Sequence, residues 1–386
     1  MYRKGIGKIS SKMLCFFLLL SVLSSFSGCV PHTELNEKAI ILAIGVDYED
    51  EKYKTMFQYY NPTGIGGRTL VDNSQPNVLT AKGEGDNVYA ALEDAAFRCG
   101  REMMLGVTQF IIIGEKAAEH SVENVVDFTK SFFQSHPDML VAVAEGEAEK
   151  LLEVKFSEGI VSTQKLKFLL TNAEKSGIVS LPDALELFTS LQTKRQSSAL
   201  PRLRLLDSDQ SDASEDGKTL EISGGVLINE GKAVDKVDIE VMSGIRMLSS
   251  ETETGTVTVD FNNEKISVGL VNVHTTIKPS FENDQLVFTV DLRSGGRLLT
   301  TPKGRYEGRN DELEKLCGDA LIKRMESAVK QTVFKYGADP FCLEKSIRHY
   351  DYGLWKKVEE NFSEYLKNSR FKFSADIEID KLLLSK

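Results

Sequence analysis

Apolar and polar positions divide the chain into stretches of distinct period. From Lys38 an almost unbroken apolar run, Ala39 through Val46 and closing on Asp47, predicts a strand, and residues 53–60 predict its hairpin partner across Glu49, Asp50 and Glu51. Residues 78–82 predict another strand. The helix that follows is capped near Asp86 and carries Val88, Leu92, Ala95 and Cys99 at helical spacing. A strand over 107–113 comes next, then a helix capped by Ser121 with Val125, Val126, Phe128, Phe132 and Phe133, stopped by Pro137, and a strand over 139–144. Strands that alternate with helices predict an α/β module.

Residues 147–191 read as mostly helical, with Pro182 placed where a helix begins, and 199–206 return to an extended form. The stretch 207–217 is acidic and lacks any apolar period, so it is read as a loop or linker dividing a region at 29–206, with room for two subdomains, from a region at 218–386. Its acids lack the glycine and distal glutamate of a calcium loop. Beyond it lie a hairpin around Gly224 to Val234 and a short helix over 241–248. Ile266, Val268 and Leu270 share one parity while Val271, Val273 and Ile277 follow the other, which predicts a bulge or twist near Leu270. Leu286, Phe288, Val290 and Leu292 alternate cleanly. A helix of about seven turns over 311–336 opens on Asp311 and Glu314, which resemble a capping box, and stops at Gly337 and Pro340. Its broad apolar face calls for a sheet, and Phe371, Phe373, Ala375, Ile377 and Ile379 supply an alternating strand. The whole predicts a multi-domain mixed α/β and α+β fold of two to three small mixed-sheet domains, the last with antiparallel strands and a long helix.

The amino terminus follows another logic. Arg3, Lys4, Lys8 and Lys12 precede an apolar run over 13–26, the pattern of a signal peptide at 1–28. The run is short of the ~20 residues a spanning helix needs. Ser25-Phe26-Ser27 would serve ordinary cleavage. Phe26-Ser27-Gly28-Cys29, with Phe where Leu is usual, resembles the bacterial lipobox, in which the cysteine carries diacylglycerol and can take a further N-acyl chain. Each buried methylene contributes about 0.8 kcal/mol, so two chains hold stably where one holds marginally. Cys29 is thus the expected lipidation site.

Charge narrows the partners. The chain has a formal charge of −10, and residues 1–28 hold four basic residues and no acid, so the remainder carries −14. That balance argues against nucleic acid and against electrostatic adhesion to anionic lipid. Of the remaining cysteines, Cys99 and Cys317 fall on apolar helical faces and read as buried thiols, while Cys317 and Cys342 could pair.

Catalytic patterns are weak. Gly64-Ile65-Gly66-Gly67-Arg68 opens no helical pattern and reads as a flexible turn. His32, His120, His136, His274 and His349 are scattered, with no zinc spacing among them. No Gly-x-Ser-x-Gly occurs, and Ser294-Gly295-Gly296 lacks the leading glycine. Tyr59, Tyr60, Tyr350, Tyr352 and Trp355 could line a groove, but Trp355, Val358, Phe362 and Tyr365 recur at helical spacing and read as core. We expect no catalytic residue, no metal and no cofactor beyond the covalent lipid.

Several stretches resemble the Ger(x)C lipoproteins, the C subunits of nutrient germinant receptors in endospore-forming bacteria. Glu34-Leu35-Asn36 leading to Ala43 through Asp47 is similar to that family's opening. Ile111 through Glu115 with Ala117, and Gly225 through Lys232, are similar to its middle. Lys335-Tyr336-Gly337-Ala338-Asp339-Pro340, Tyr350, Trp355-Lys356-Lys357 and the closing strand resemble its carboxyl end. The family usually has Trp-Asp where Val30-Pro31-His32 stands, and a second Trp at Phe362. The resemblance implies a non-catalytic subunit anchored on the outer face of the spore inner membrane and joined to two integral membrane subunits, A-type and B-type. It also implies three small mixed α/β domains. A lipid-tethered solute-binding protein would need two doubly wound lobes. A secreted hydrolase would need a positioned constellation.

Overall fold

A computed structural model describes residues 37–60, 78–131, 138–154, 162–192, 197–208, 214, 217–249, 254–300 and 310–379, with isolated positions at 13 and 16. Apart from those two positions, the segment 1–28 expected to be a signal peptide lies outside the described residues, as do Cys29 and the glycine run at 64–68.

A first sheet is built from β1 (Lys38–Glu49), β2 (Lys52–Tyr60), β3 (Val78–Gly85), β4 (Glu102–Met104), β5 (Phe110–Ile113), β6 (Leu140–Ala144), β7 (Ser198–Asp207), β8 (Lys218–Asn229) and β9 (Lys232–Val237). Its order is β3-β2-β1-β5-β6-β7-β8-β9, with β4 paired to the first residues of β1. The centre, β1-β5-β6-β7, is parallel and the flanks are antiparallel. Ile111, Ile112 and Ile113 are wholly buried, as a strand covered on both faces requires. One face is covered by α1 (Val88–Cys99), α2 (Glu115–Asp127) and α5 (Ala184–Gln192), the other by α3 (Ala148–Glu153) and α4 (Ser162–Lys175). Gly83 lets α1 come close, because a Cβ there would fall 2.3 Å from Ala91 O and Ala95 N.

A second sheet, β10 (Thr254–Phe261), β11 (Glu264–Glu282), β12 (Gln285–Leu298) and β13 (Arg370–Ile379), is antiparallel except for the parallel pair β12-β13. The long helix α7 (Asn310–Val329) continues through a π turn at Lys330–Phe334. Its Leu313, Cys317, Leu321, Met325 and Val329 are buried against that sheet in a core shared with α6 (Ile239–Leu248). Four hairpins turn on residue pairs with positive φ, Asp50-Glu51, Glu230-Gly231, Asn262-Asn263 and Asn283-Asp284, the backbone that matches the twist of paired strands.

Most predicted elements are present, with instructive differences. The bulge expected near Leu270 is the register shift between Val271 and His274, with Asn272 at φ 53. Ser121 caps as expected, its Oγ accepting from Asn124 N at 3.1 Å, but at φ −169 and ψ 110 it interrupts a helix that already began at Glu115. The cap of α1 is Asn87, which accepts from Ala90 N at 2.9 Å, one residue after the expected Asp86. The strand expected over 107–113 is shorter, because residues 105–109 form a turn between β4 and β5.

The acidic segment at 207–217 does not divide two sheets. It connects β7 to β8, which pair from Asp207↔Lys218 to Ser198↔Ile228, so the expected second region contributes two strands to the first sheet. The room expected for two subdomains is met by one sheet with a narrow seam, since β6 and β7 pair at Val143↔Arg202 and Ala144↔Leu203. The largely antiparallel second sheet also differs from the second doubly wound lobe a solute-binding protein would need. No helix among the described residues is long and apolar enough to cross a membrane.

Candidate functional site

The parallel strands β1, β5 and β6 all end on one side of the first sheet, where open α/β sheets commonly form ligand clefts. A cleft of about 610 Å³ opens there. Its walls are the end of β1, the first turn of α2 and the β6–α3 connection, and it is lined by seven carboxylates and three lysines.

Asp47 anchors this end. Its carboxylate accepts from Ala148 N at 2.8 Å and Glu149 N at 3.1 Å, which ties β1 to the first turn of α3. Burial pushes its carboxyl above the usual range, the two N–H groups pull it back, and the charges of Glu147 and Glu149 add to the rise. Gly114 is required beside it, since a Cβ there would fall 1.8 Å from Asp47 Oδ1. Glu115 pairs with Lys236 and accepts from Gly146 N at 3.2 Å, and its carboxyl is held low chiefly by the lysine. Tyr48 stacks on His120 with ring centroids 3.9 Å apart, and Tyr53 meets Tyr48 edge-on at 5.0 Å.

The chemistry available is electrostatic. Asp47 and Glu115 are committed to backbone N–H groups or to a lysine, and Glu49 faces Lys116 at 3.5 Å, so these carboxylates position elements. Among the described residues no group of three or more His, Cys, Asp or Glu is arranged to hold a metal ion. The excess negative charge favours a cationic visitor.

The other residues singled out in the sequence do not converge on this cleft. His274 and Tyr350 line a groove beside Cys342, and His349 packs edge-on against Tyr350 at 5.2 Å. His32 and His136 lie outside the described residues. Cys317 and Cys342 are not joined by a disulfide, and burial pushes the Cys317 thiol up to about 11, with Glu314 adding to it. Cys99 is half-buried and donates to Ala96 O at 3.3 Å. Trp355, Val358 and Phe362 are core, as their spacing predicts, with Trp355 edge-on to Phe362 at 5.3 Å. Tyr59 is buried too, whereas Tyr350 and Tyr352 are exposed.

The motifs behind the family resemblance turn out to be joints. Gly45 lies against Leu152 and Ala148, and Asp47 holds α3. Lys335 donates to Asp235 Oδ2 at 2.6 Å, linking the end of the long helix to β9. Asp339 is fully buried and accepts from Leu343 N at 2.7 Å and Glu344 N at 2.9 Å, capping α8 (Leu343–Tyr350). Its own N–H donates to Ser197 Oγ at 3.2 Å, and that hydroxyl donates to Asn229 Oδ1 at 2.7 Å, so the carboxyl-terminal motif is stitched to the first sheet. Burial pushes the Asp339 carboxyl up to about 6 against the pull of the two N–H groups.

Comparison with known proteins points one way. Residues 31–205 match the family model described as spore germination protein N-terminal domain, and 223–382 match spore germination B3/GerAC like, C-terminal. The chain is 23% identical over 377 residues to spore germination protein KC of Bacillus subtilis (strain 168), covering 92% of this chain and 91% of that one. It is 23% identical over 332 residues to the putative spore germination protein YfkR of the same organism, covering 84% of each. The crystal structure of the GerBC protein superposes with a TM-score of 0.58 at 17% identity, covering 87% of this chain and 96% of that one.

Proposed function

The chain belongs to the Ger(x)C family of spore germination proteins, and on that premise we propose that it is a non-catalytic, lipid-anchored subunit of a nutrient germinant receptor. In this reading Cys29 carries the diacylglycerol, the folded body rests on the outer face of the spore inner membrane, and its partners are two integral membrane subunits, one A-type and one B-type. The carrying observation is continuity: the first family match starts at residue 31, two positions after the lipobox cysteine, and the two matches together run almost to the carboxyl end.

Action by contact rather than turnover is supported by how the charged groups are used. Carboxylates of the cleft hold helices and lysines, and the family's distinctive residues fix the joints between elements. A body of this kind relays position between partners, and the lipid confines it to the plane in which they lie.

The test is Cys29→Ala at the native locus. Loss of the protein from the membrane fraction, with a weakened germination response to the nutrient its receptor serves, is expected. Normal recovery with membranes contradicts the anchor. A deletion strain that germinates like the parent on every nutrient contradicts the receptor role.

A further inference from the structure

The topology fixes where the tether attaches. β1 runs parallel to β4 and β5, and β5 to β6, so these strands begin at one end of the sheet, with Lys38 opposite Glu102. α1 ends there too, at Gly100. The acidic cleft lies at the opposite end, beyond Asp47. Resting on the lipid anchor proposed above, we propose that the end at which β1, β5 and β6 begin faces the bilayer, with Phe97 and Val107 set against the headgroup layer, and that the acidic cleft is presented away from the membrane.

Three observations carry this. First, length: nine peptide steps separate Cys29 from Lys38, a reach of at most about 30 Å. The nine steps of β1 from Lys38 to Asp47 also rise about 30 Å. Turning the cleft towards the lipid would therefore need a tether stretched to its limit along the body, whereas the opposite orientation leaves it slack.

Second, exposure. Phe97 is 86% exposed in the last turn of α1, and Val107 is 45% exposed in the turn before β5. That turn is pinned, since Thr108 Oγ1 donates to Ile41 O at 3.1 Å and Gln109 N to Leu42 O at 2.8 Å. Apolar side chains on a fixed base suit shallow contact with the headgroup and acyl boundary. Third, charge. The cleft's carboxylates outnumber its lysines by more than two to one, seven against three. Held about 30 Å from an anionic surface they lie several screening lengths away, and pressed against it they would sit within one.

The test uses the full lipidated chain reconstituted into vesicles of anionic and zwitterionic lipid with brominated acyl chains. Phe97→Trp and Glu147→Trp are compared with the unsubstituted protein, whose single tryptophan, the buried Trp355, gives a common background. Both substituted positions are exposed, so neither change disturbs the core. The orientation predicts that the added emission of the Phe97→Trp chain is quenched and shifted to the blue on the vesicles, and that of the Glu147→Trp chain is unchanged. A chain that fails to float with the vesicles overturns the anchor, and this proposal with it. A chain that floats but shows equal quenching at the two positions, stronger quenching at 147, or none at 97 overturns the orientation alone.

Discussion

Replacing Asp339 by Asn removes a titrating group at the joint between the carboxyl-terminal motif and the first sheet while keeping its shape. The carboxyl is fully buried, and burial raises its pKa to about 6 from the ordinary aspartate value of 3.8. A folded value above the unfolded one means that folding favours the protonated form. The stabilisation is complete below the unfolded value and is lost as pH rises through about 6. Integrated with those two values, the loss between about pH 5 and pH 8 is on the order of 1 kcal/mol. Asparagine keeps one acceptor oxygen for Leu343 N or Glu344 N and forfeits the other, a cost of about 1–2 kcal/mol that does not vary with pH. The slope therefore isolates the carboxyl from the cap. Denaturant unfolding of both proteins across that range measures it: the parent should lose stability relative to Asp339→Asn as pH rises. Parallel curves would refute the reasoning, because they would mean that Asp339 ionises in the folded chain as readily as in the unfolded one.

Other expectations follow from single contacts. Gly83→Val drives a branched side chain into the backbone of α1 at Ala91 and Ala95, so a loss of about 2 kcal/mol or more is expected, and an unchanged melting temperature would contradict the close packing. Gln58 is buried and donates to Leu152 O at 2.6 Å and Ser162 Oγ at 2.8 Å while accepting from Thr163 Oγ1 at 2.5 Å. Gln58→Leu strands the Thr163 hydroxyl, at a cost of about 1–3 kcal/mol in urea unfolding. Glu49→Gln breaks exposed ion pairs with Lys54 and Lys116, so the unfolding midpoint should move little and any shift should shrink with added salt; a large, salt-independent loss would contradict this.

What could be read from the sequence was whatever has a short period or a local cap. The unbroken run at Ile111, the alternation ending at Ile379 and the apolar face of the long helix each state their own burial. Pairing across distance carries no such signal. The acidic stretch at 207–217 is as polar as a linker, and nothing local says that Asp207 and Lys218 face each other. The first turn of α2 was hidden because Lys116, Glu119 and His120 dilute its apolar period. The cleft was illegible for the same reason: Asp47, Glu115 and Glu147 are far apart in sequence, and in an acidic chain no pair of carboxylates stands out. Its clue was glycine, since Gly114 and Gly146 sit where β5 and β6 give way to helices and bring backbone N–H groups close to acids. The family motifs marked joints such as Asp339, whose role depends on burial that appears once both sheets are assembled.

Mass spectrometry of the amino-terminal peptide of the protein recovered from spore membranes decides whether lipid holds this chain to its membrane. The expected mature chain begins at Cys29 with diacylglycerol on its thiol. An unmodified Cys29 thiol, or a chain that begins at any other residue, would contradict it.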